Sequence, residues 1–285
     1  MNVFTTATAI AMVFSSAAYA QKPSINVCTG PEGGNYQKAV FEVMKQAKER
    51  MDVKPIDSKG SIDSLDKLAS GACDIAPIQN DAMLVYKKKY AKDAGNLEKA
   101  GTLYKEYVHL VCNRKSGIGR VTDLMGNKHR VAVGPGGSGS SVTWDSFILA
   151  DKRYGEAPTV PLAGLRALEK VKMGDEVACM IFTAALNSSF VTTNMSEAGS
   201  YVQLIKANDG DFDTAKDERG VSIYTYDTIP SKTYPKLQDG SVRTVVVDAL
   251  WVARGAFIDE KEKLYNYFLE AKNKASPEIK KMVGQ

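Results

Sequence analysis

Val131-Ala-Val-Gly-Pro-Gly-Gly-Ser-Gly-Ser-Ser-Val-Thr-Trp-Asp-Ser-Phe-Ile-Leu-Ala150 reads as a short apolar strand, a turn of glycines and hydroxyls, and an amphipathic helix. Glycines let a backbone approach a ligand closely, and the unpaired N–H groups of a first helical turn point at it along the helix dipole. Ser138, Ser140, Ser141 and Thr143 add hydroxyl donors. The segment is built to hold an anion, and its strand–turn–helix form makes the chain α/β. The same glycines also serve the turn itself, and the serines also serve as helix caps.

Upstream, strands and helices alternate. Ser24–Cys28, Met51–Ile56 and Cys73–Ile78 have strand composition. Between them Tyr36–Arg50 places Val40, Phe41, Met44 and Ala47 at helical spacing, and Ile62–Ser70 forms a second helix. This order predicts a parallel sheet with right-handed crossovers, whose loops open on one edge, where open α/β sheets bind ligands. Downstream the pattern repeats: Tyr107–Cys112 connects, Arg130–Gly134 starts a second unit, and Pro158–Leu162 and Glu176–Phe182 supply strands. Val242–Ala253, rich in valine, predicts a strand returning to the first unit, with amphipathic helices from Asp259 onward completing it. Two crossings make a hinge between two lobes.

The chain of 285 residues, 44% apolar and 25% charged, is long enough for two such domains. Its first twenty residues have an apolar run, Ala7–Ser16, and the small-x-small sequence Ala18-Tyr-Ala20, the form of a signal peptide cut after Ala20. The segment before that run has neither Lys nor Arg. No later stretch reaches the roughly 18 apolar residues of a membrane span, so an exported, periplasmic product is expected. Cys28 lacks the small residues that precede a lipidated cysteine. Four cysteines, Cys28, Cys73, Cys112 and Cys179, allow three pairings or remain as buried thiols. Two histidines without paired spacing argue against a metal site or a histidine triad. Lys87-Lys-Lys89 reads as the exposed end of a helix, and no nucleic-acid partner is expected. The net charge of +4 suits an anionic solute, although it is scattered.

The order of loops resembles the solute receptors of the TAXI branch of TRAP transporters. Thr29-Gly30 with Gly33-Gly-Asn-Tyr36, Lys59-Gly-Ser-Ile-Asp-Ser-Leu65, Asp74-Ile-Ala-Pro-Ile-Gln-Asn-Asp81 and Arg130–Gly139 carry the resemblance. It implies a two-lobe periplasmic binding protein fold, type II like, with two parallel-core sheets flanked by helices and a hinge of two crossing strands. Lobe I would be 21–108 and 243–285, and lobe II 109–242. The implied function is capture of a small organic anion, an amino acid such as glutamate or a dicarboxylate such as 2-oxoglutarate, for a TRAP-type permease. Matching positions give Gly33, Gly34, Asn35, Tyr36, Ser61, Gln79 and Asp81 on one side, and Gly136, Gly137, Ser138, Gly139 and Ser140 on the other. No cofactor, catalytic residue or metal is implied. The sequence departs from the pattern at Pro31-Glu32 and at Phe182–Asn187, which lacks a glycine-proline turn.

Three alternatives compete. Gly134-Pro-Gly-Gly-Ser-Gly139 fits the dinucleotide fingerprint, but no acidic residue ends the next strand. Ser64-Leu-Asp-Lys67 fits S-x-x-K without its partner motifs. A two-lobe sensor handing its signal to a membrane partner shares the architecture.

Overall fold

The computed structural model describes residues 22–93, 95–126 and 128–285; the signal peptide and its cut after Ala20 lie outside the described residues. The first half alternates β1 (Ser24–Cys28), α1 (Asn35–Ala47), β2 (Asp52–Ile56), α2 (Ser61–Ala69), β3 (Ile75–Gln79) and α3 (Asn80–Lys88). β1 pairs in parallel with β2 from Ser24↔Asp52 to Cys28↔Ile56, and with β3 at Val27↔Ile75. α1 buries Ala39, Val40, Val43 and Ala47, while Phe41, expected inside, is 40% exposed. The helix stops at Ala47, short of Arg50; Lys48, Glu49 and Arg50 are all exposed, and Arg50 pairs with Glu270 and lies over the Tyr267 ring. β3 starts two residues later than expected. Asp74, ahead of it, spends its carboxylate on the Asn26 N–H and on Arg254.

β4 (Leu97–Asn113) is 17 residues long. Then follow β5 (Val131–Ala132), α4 (Gly139–Ala150), β6 (Thr159–Val160), α5 (Gly164–Met173), β7 (Cys179–Ala184), β8 (Val202–Ile205), β9 (Tyr224–Ile229), β10 (Val242–Arg254), α6 (Gly255–Glu260) and α7 (Glu262–Val283). The strand order is β2-β1-β3-β10-β4-β7-β5-β6, with β8 on β4 and β9 on β10. Two parallel cores, β2-β1-β3 and β7-β5-β6, are thus present, and the antiparallel pair β4 and β10 joins them into one mixed sheet. β10 pairs with β9 along Val242–Val247, then with β3 along Ala249–Ala253. β4 pairs with β10 up to Lys105 and with β7 from Tyr107. Both long strands therefore change neighbours midway, and β-branched residues along β10 suit a strand buried on both faces.

Helices cover both faces. At the β1 end, α1, α6 and α7 share a core with Ile25, Val27, Trp251 and Phe268, and α2 and α3 share one with Leu65, Ile78 and Leu250 on the opposite face. At the β7 end, α4 packs with Val108, Ile181 and Val245, and α5 with Val111, Met180 and Val246. α4 is not amphipathic as expected. Seven consecutive residues, Ser141–Phe147, are buried. The helix is wedged against α3, β7 and the turn Gly210–Thr214, with Phe147 stacked on Phe212 at 3.8 Å and Trp144 edge-on to Tyr154. The cysteines pair as Cys28–Cys73 and Cys112–Cys179, the second across the β4–β7 pair.

Candidate functional site

α1, α2 and α4 begin after strand-following loops and α3 directly after β3, and contacts through Gly60, Ser61, Gln79 and Gly139 bring the N-termini of α2, α3 and α4 together. Each N-terminus leaves backbone N–H groups without intrahelical acceptors. Close backbone approach explains several glycines. Gly60 has φ +146°, and a Cβ there would stand 2.8 Å from the Gly137 carbonyl oxygen. A Cβ on Gly139 would stand 2.6 Å from Gln79 Oε1. The loops before α2 and α4 are thus in direct contact, and only glycine fits between them.

The loop before α1 joins through serines: the Gly30 N–H donates to Ser58 Oγ at 2.9 Å, and Ser58 Oγ lies 2.8 Å from Ser64 Oγ. Ser61 is buried, and its hydroxyl oxygen accepts the Gln79 N–H at 3.1 Å. Gln79 Nε2 donates to Asp81 Oδ1 at 2.7 Å, to the Gly139 carbonyl at 3.2 Å and to Thr143 Oγ1 at 2.8 Å. Asp81 has no exposed surface. Its Oδ2 accepts the hydroxyls of Thr143 at 3.0 Å and Tyr224 at 2.7 Å. Thr143 also contacts Thr183 Oγ1 at 3.0 Å. This network ties α3 to α4, β7 and β9.

Of the residues expected to touch a ligand, Ser61, Gln79, Gly137, Ser138, Gly139 and Ser140 are brought together. Ser138 caps α4, its Oγ accepting the Ser141 N–H, and Ser140 Oγ accepts the Thr183 N–H at 3.4 Å. The N–H groups of Gly139 and Ser140 open the helix and face no intrahelical acceptor. Gly33 and Gly136 are exposed turn residues. The Gly33 N–H is already taken by Gln37 Oε1. Gly34 caps α1 and Asn35 begins it. Asp81, buried and taking donors from three side chains, holds the network together. The Tyr36 ring lies against Gly30, where an added Cβ would stand 3.3 Å from it, and its hydroxyl donates to Glu106 Oε2 at 3.0 Å, with the ring 6.1 Å from Tyr104.

Sequence reasoning missed Glu106, Thr183 and Tyr224. Glu106 sits at the one position of β4 between its last partner on β10, Lys105↔Asp248, and its first on β7, Tyr107↔Ala184. It was legible as the charge on a strand face otherwise made of Tyr104, Val108, Leu110 and Cys112. Burial pushes the Glu106 carboxyl up to about 8, with the Asp81 charge adding to it and the Tyr36 hydroxyl opposing. Burial likewise raises Asp81 to about 6, held back by donors from Tyr224, Gln79 and Thr143. Elsewhere Asp151, Asp209 and Asp211 bring carboxylate oxygens within 4.8 Å of one another. Arg153 pairs with Asp151 and Asp211, and the Tyr154 hydroxyl donates to Asp209, so each of these carboxylates already has a protein partner.

Two parallel αβ cores, bridged by two long strands and presenting helix N-termini to each other, define the periplasmic binding protein fold. The chain belongs to the NMT1-like family, whose model matches residues 27–265. Similar folds include a Candida albicans protein described as founding a family with the generic periplasmic binding protein fold. It is 16% identical, covering 89% of this chain and 70% of its own, with a TM-score of 0.55. A Streptococcus mutans structure describing glutathione import through GshT is 12% identical, covering 92% and 95%, TM-score 0.54. The alkanesulfonate-binding protein SsuA of Xanthomonas axonopodis pv. citri is 13% identical, covering 90% and 74%, TM-score 0.53. No curated protein matches the sequence.

Proposed function

We propose that this protein is an exported, non-enzymatic receptor that binds a small organic solute between two lobes and delivers it to a membrane permease. Lobe I is 21–108 with 243–285, and lobe II is 109–242. The observation that carries the reading is the meeting of the α2 and α4 N-termini across the lobe boundary, glycine against glycine, at Gly60 and Gly137. A solute carboxylate would be gripped by the N–H groups of Gly139 and Ser140 and by the serine hydroxyls, without a buried lysine. Gly136 and Gly33 would shape the loops, and Gln79 and Asp81 would hold the closed form. The TAXI resemblance supports a TRAP-type permease as partner, whereas the GshT description couples a similar fold to an ABC importer. Uptake by vesicles reconstituted with either permease type separates the two.

The test is thermal unfolding of ligand-stripped protein against amino acids, keto acids, dicarboxylates, sugars and NAD. A solute at ~100 times its dissociation constant adds roughly 2.7 kcal/mol. Ser138→Phe with Ser140→Phe should abolish a selective shift while the far-ultraviolet signal stays. An unchanged shift in that variant discards the site, and a shift with NAD alone overturns the receptor reading.

A further inference from the structure

Four acidic side chains are buried among the described residues: Asp74, Asp81, Glu106 and Asp145. Two have cations. Arg254 pairs with Asp74 at 3.1 Å, and Lys89 with Asp145 at 2.5 Å. Asp81 and Glu106 have none, and no lysine or arginine among the described residues is buried. The groups facing Glu106 are Tyr36 from α1, Tyr104 from its own strand and Asp81 from α3, all neutral or acidic. A buried carboxylate without a counter-charge is costly, and natural interiors pair or neutralise it.

Position gives this pair a purpose. Opposite residues of an antiparallel pair share a face, so Glu106 lies on the face of β4–β7 that carries Thr183, two places along from the Val108↔Thr183 pair. Thr183 touches both Ser140 and Thr143. Glu106 therefore flanks the α4 N-terminus from the strand where the sheet changes partners. Asp81 is spent on its three donors, whereas Glu106 receives a single hydrogen bond, from Tyr36.

We infer that Glu106 is a ligand contact for a protonated amine, so that the solute is an amino acid held by its carboxylate at the α4 N-terminus and by its ammonium at Glu106. This rests on the receptor reading above. Asp81, held by its three donors, adds negative potential beside Glu106. The ammonium replaces the proton that Glu106 carries when the site is empty, and that proton leaves to solvent.

The experiment is titration calorimetry at pH 7.5 on ligand-stripped protein, with the standard L-amino acids each paired with its 2-keto acid. An amino acid should bind at least about tenfold tighter than its keto acid. Binding heats in two buffers of different ionisation enthalpy should show net proton release. Glu106→Gln should collapse the discrimination and abolish the release. A keto acid bound as tightly as its amino acid overturns the ammonium contact and leaves the receptor standing. Discrimination surviving in Glu106→Gln also overturns it. Silence across both sets, with the protein folded, removes the carboxylate receptor reading and this contact with it.

Discussion

Glu106→Gln should stabilise the ligand-free protein at alkaline pH, and the reason is the sign of the linkage. An acid whose folded pKa is raised binds protons more tightly when folded, so its contribution is complete below the unfolded value and declines as pH climbs to the folded one. For Glu106 that window runs from 4.5 to about 8. At about 1.4 kcal/mol per unit, full ionisation would cost the fold on the order of 5 kcal/mol as an upper bound, since water entering the site relieves part of it. Glutamine keeps an acceptor for the Tyr36 hydroxyl and never ionises. We expect the variant to gain at least about 1 kcal/mol at pH 8.5 relative to its difference from wild type at pH 5, roughly 2–4 °C in Tm for a chain of this size. Thermal unfolding followed by circular dichroism from pH 4 to 9 reads it directly. A residual slope between about 4 and 6 should remain in the variant, because Asp81 is raised to about 6 by the same burial. A variant no more stable at pH 8.5 than at pH 5, relative to wild type, would refute the buried, uncompensated charge.

Thr143→Val keeps the shape but strips a hydroxyl that serves Gln79, Asp81 and Thr183, and should cost about 3 kcal/mol in urea unfolding. A loss under ~1 kcal/mol would mean that water repairs the network. Gly60→Ala forces a Cβ against the Gly137 carbonyl at a backbone angle alanine avoids, and should lower stability by about 1–3 kcal/mol, whereas the same change at exposed Gly136, with open space around it, should leave Tm nearly unchanged. Reducing the two disulfides should cost about 2–5 kcal/mol each, visible as a Tm drop in dithiothreitol that a Cys112→Ala, Cys179→Ala double variant halves.

The architecture was readable because it rests on periodicity and on loop chemistry. The alternation from Ser24 to Lys88 and the valine run of β10 lie in the chain as written, whereas β4 was legible only as Tyr107–Cys112, because Glu98, Lys99, Gly101 and Lys105 break the apolar pattern of its first ten residues. What escaped depends on contacts distant in sequence. The apolar and polar residues of Ser141–Phe147 mix without a stripe, and only the surrounding turn at Gly210–Thr214 explains why such a helix is buried. The network around Asp81 was invisible because its partners Thr143 and Tyr224 are 62 and 143 residues away. Three cysteine pairings were open until β1, β3, β4 and β7 were placed side by side. Glu106 had a local signal, a lone acid on an apolar strand face.

The disulfides join the first cysteine to the second and the third to the fourth, closing separate intervals of 45 and 67 residues. A chain threaded into an oxidising compartment from its N-terminus presents each thiol to its correct mate before the next competitor arrives. Were this chain exported as proposed, oxidation in order of emergence would yield the native bridges without a shuffling enzyme.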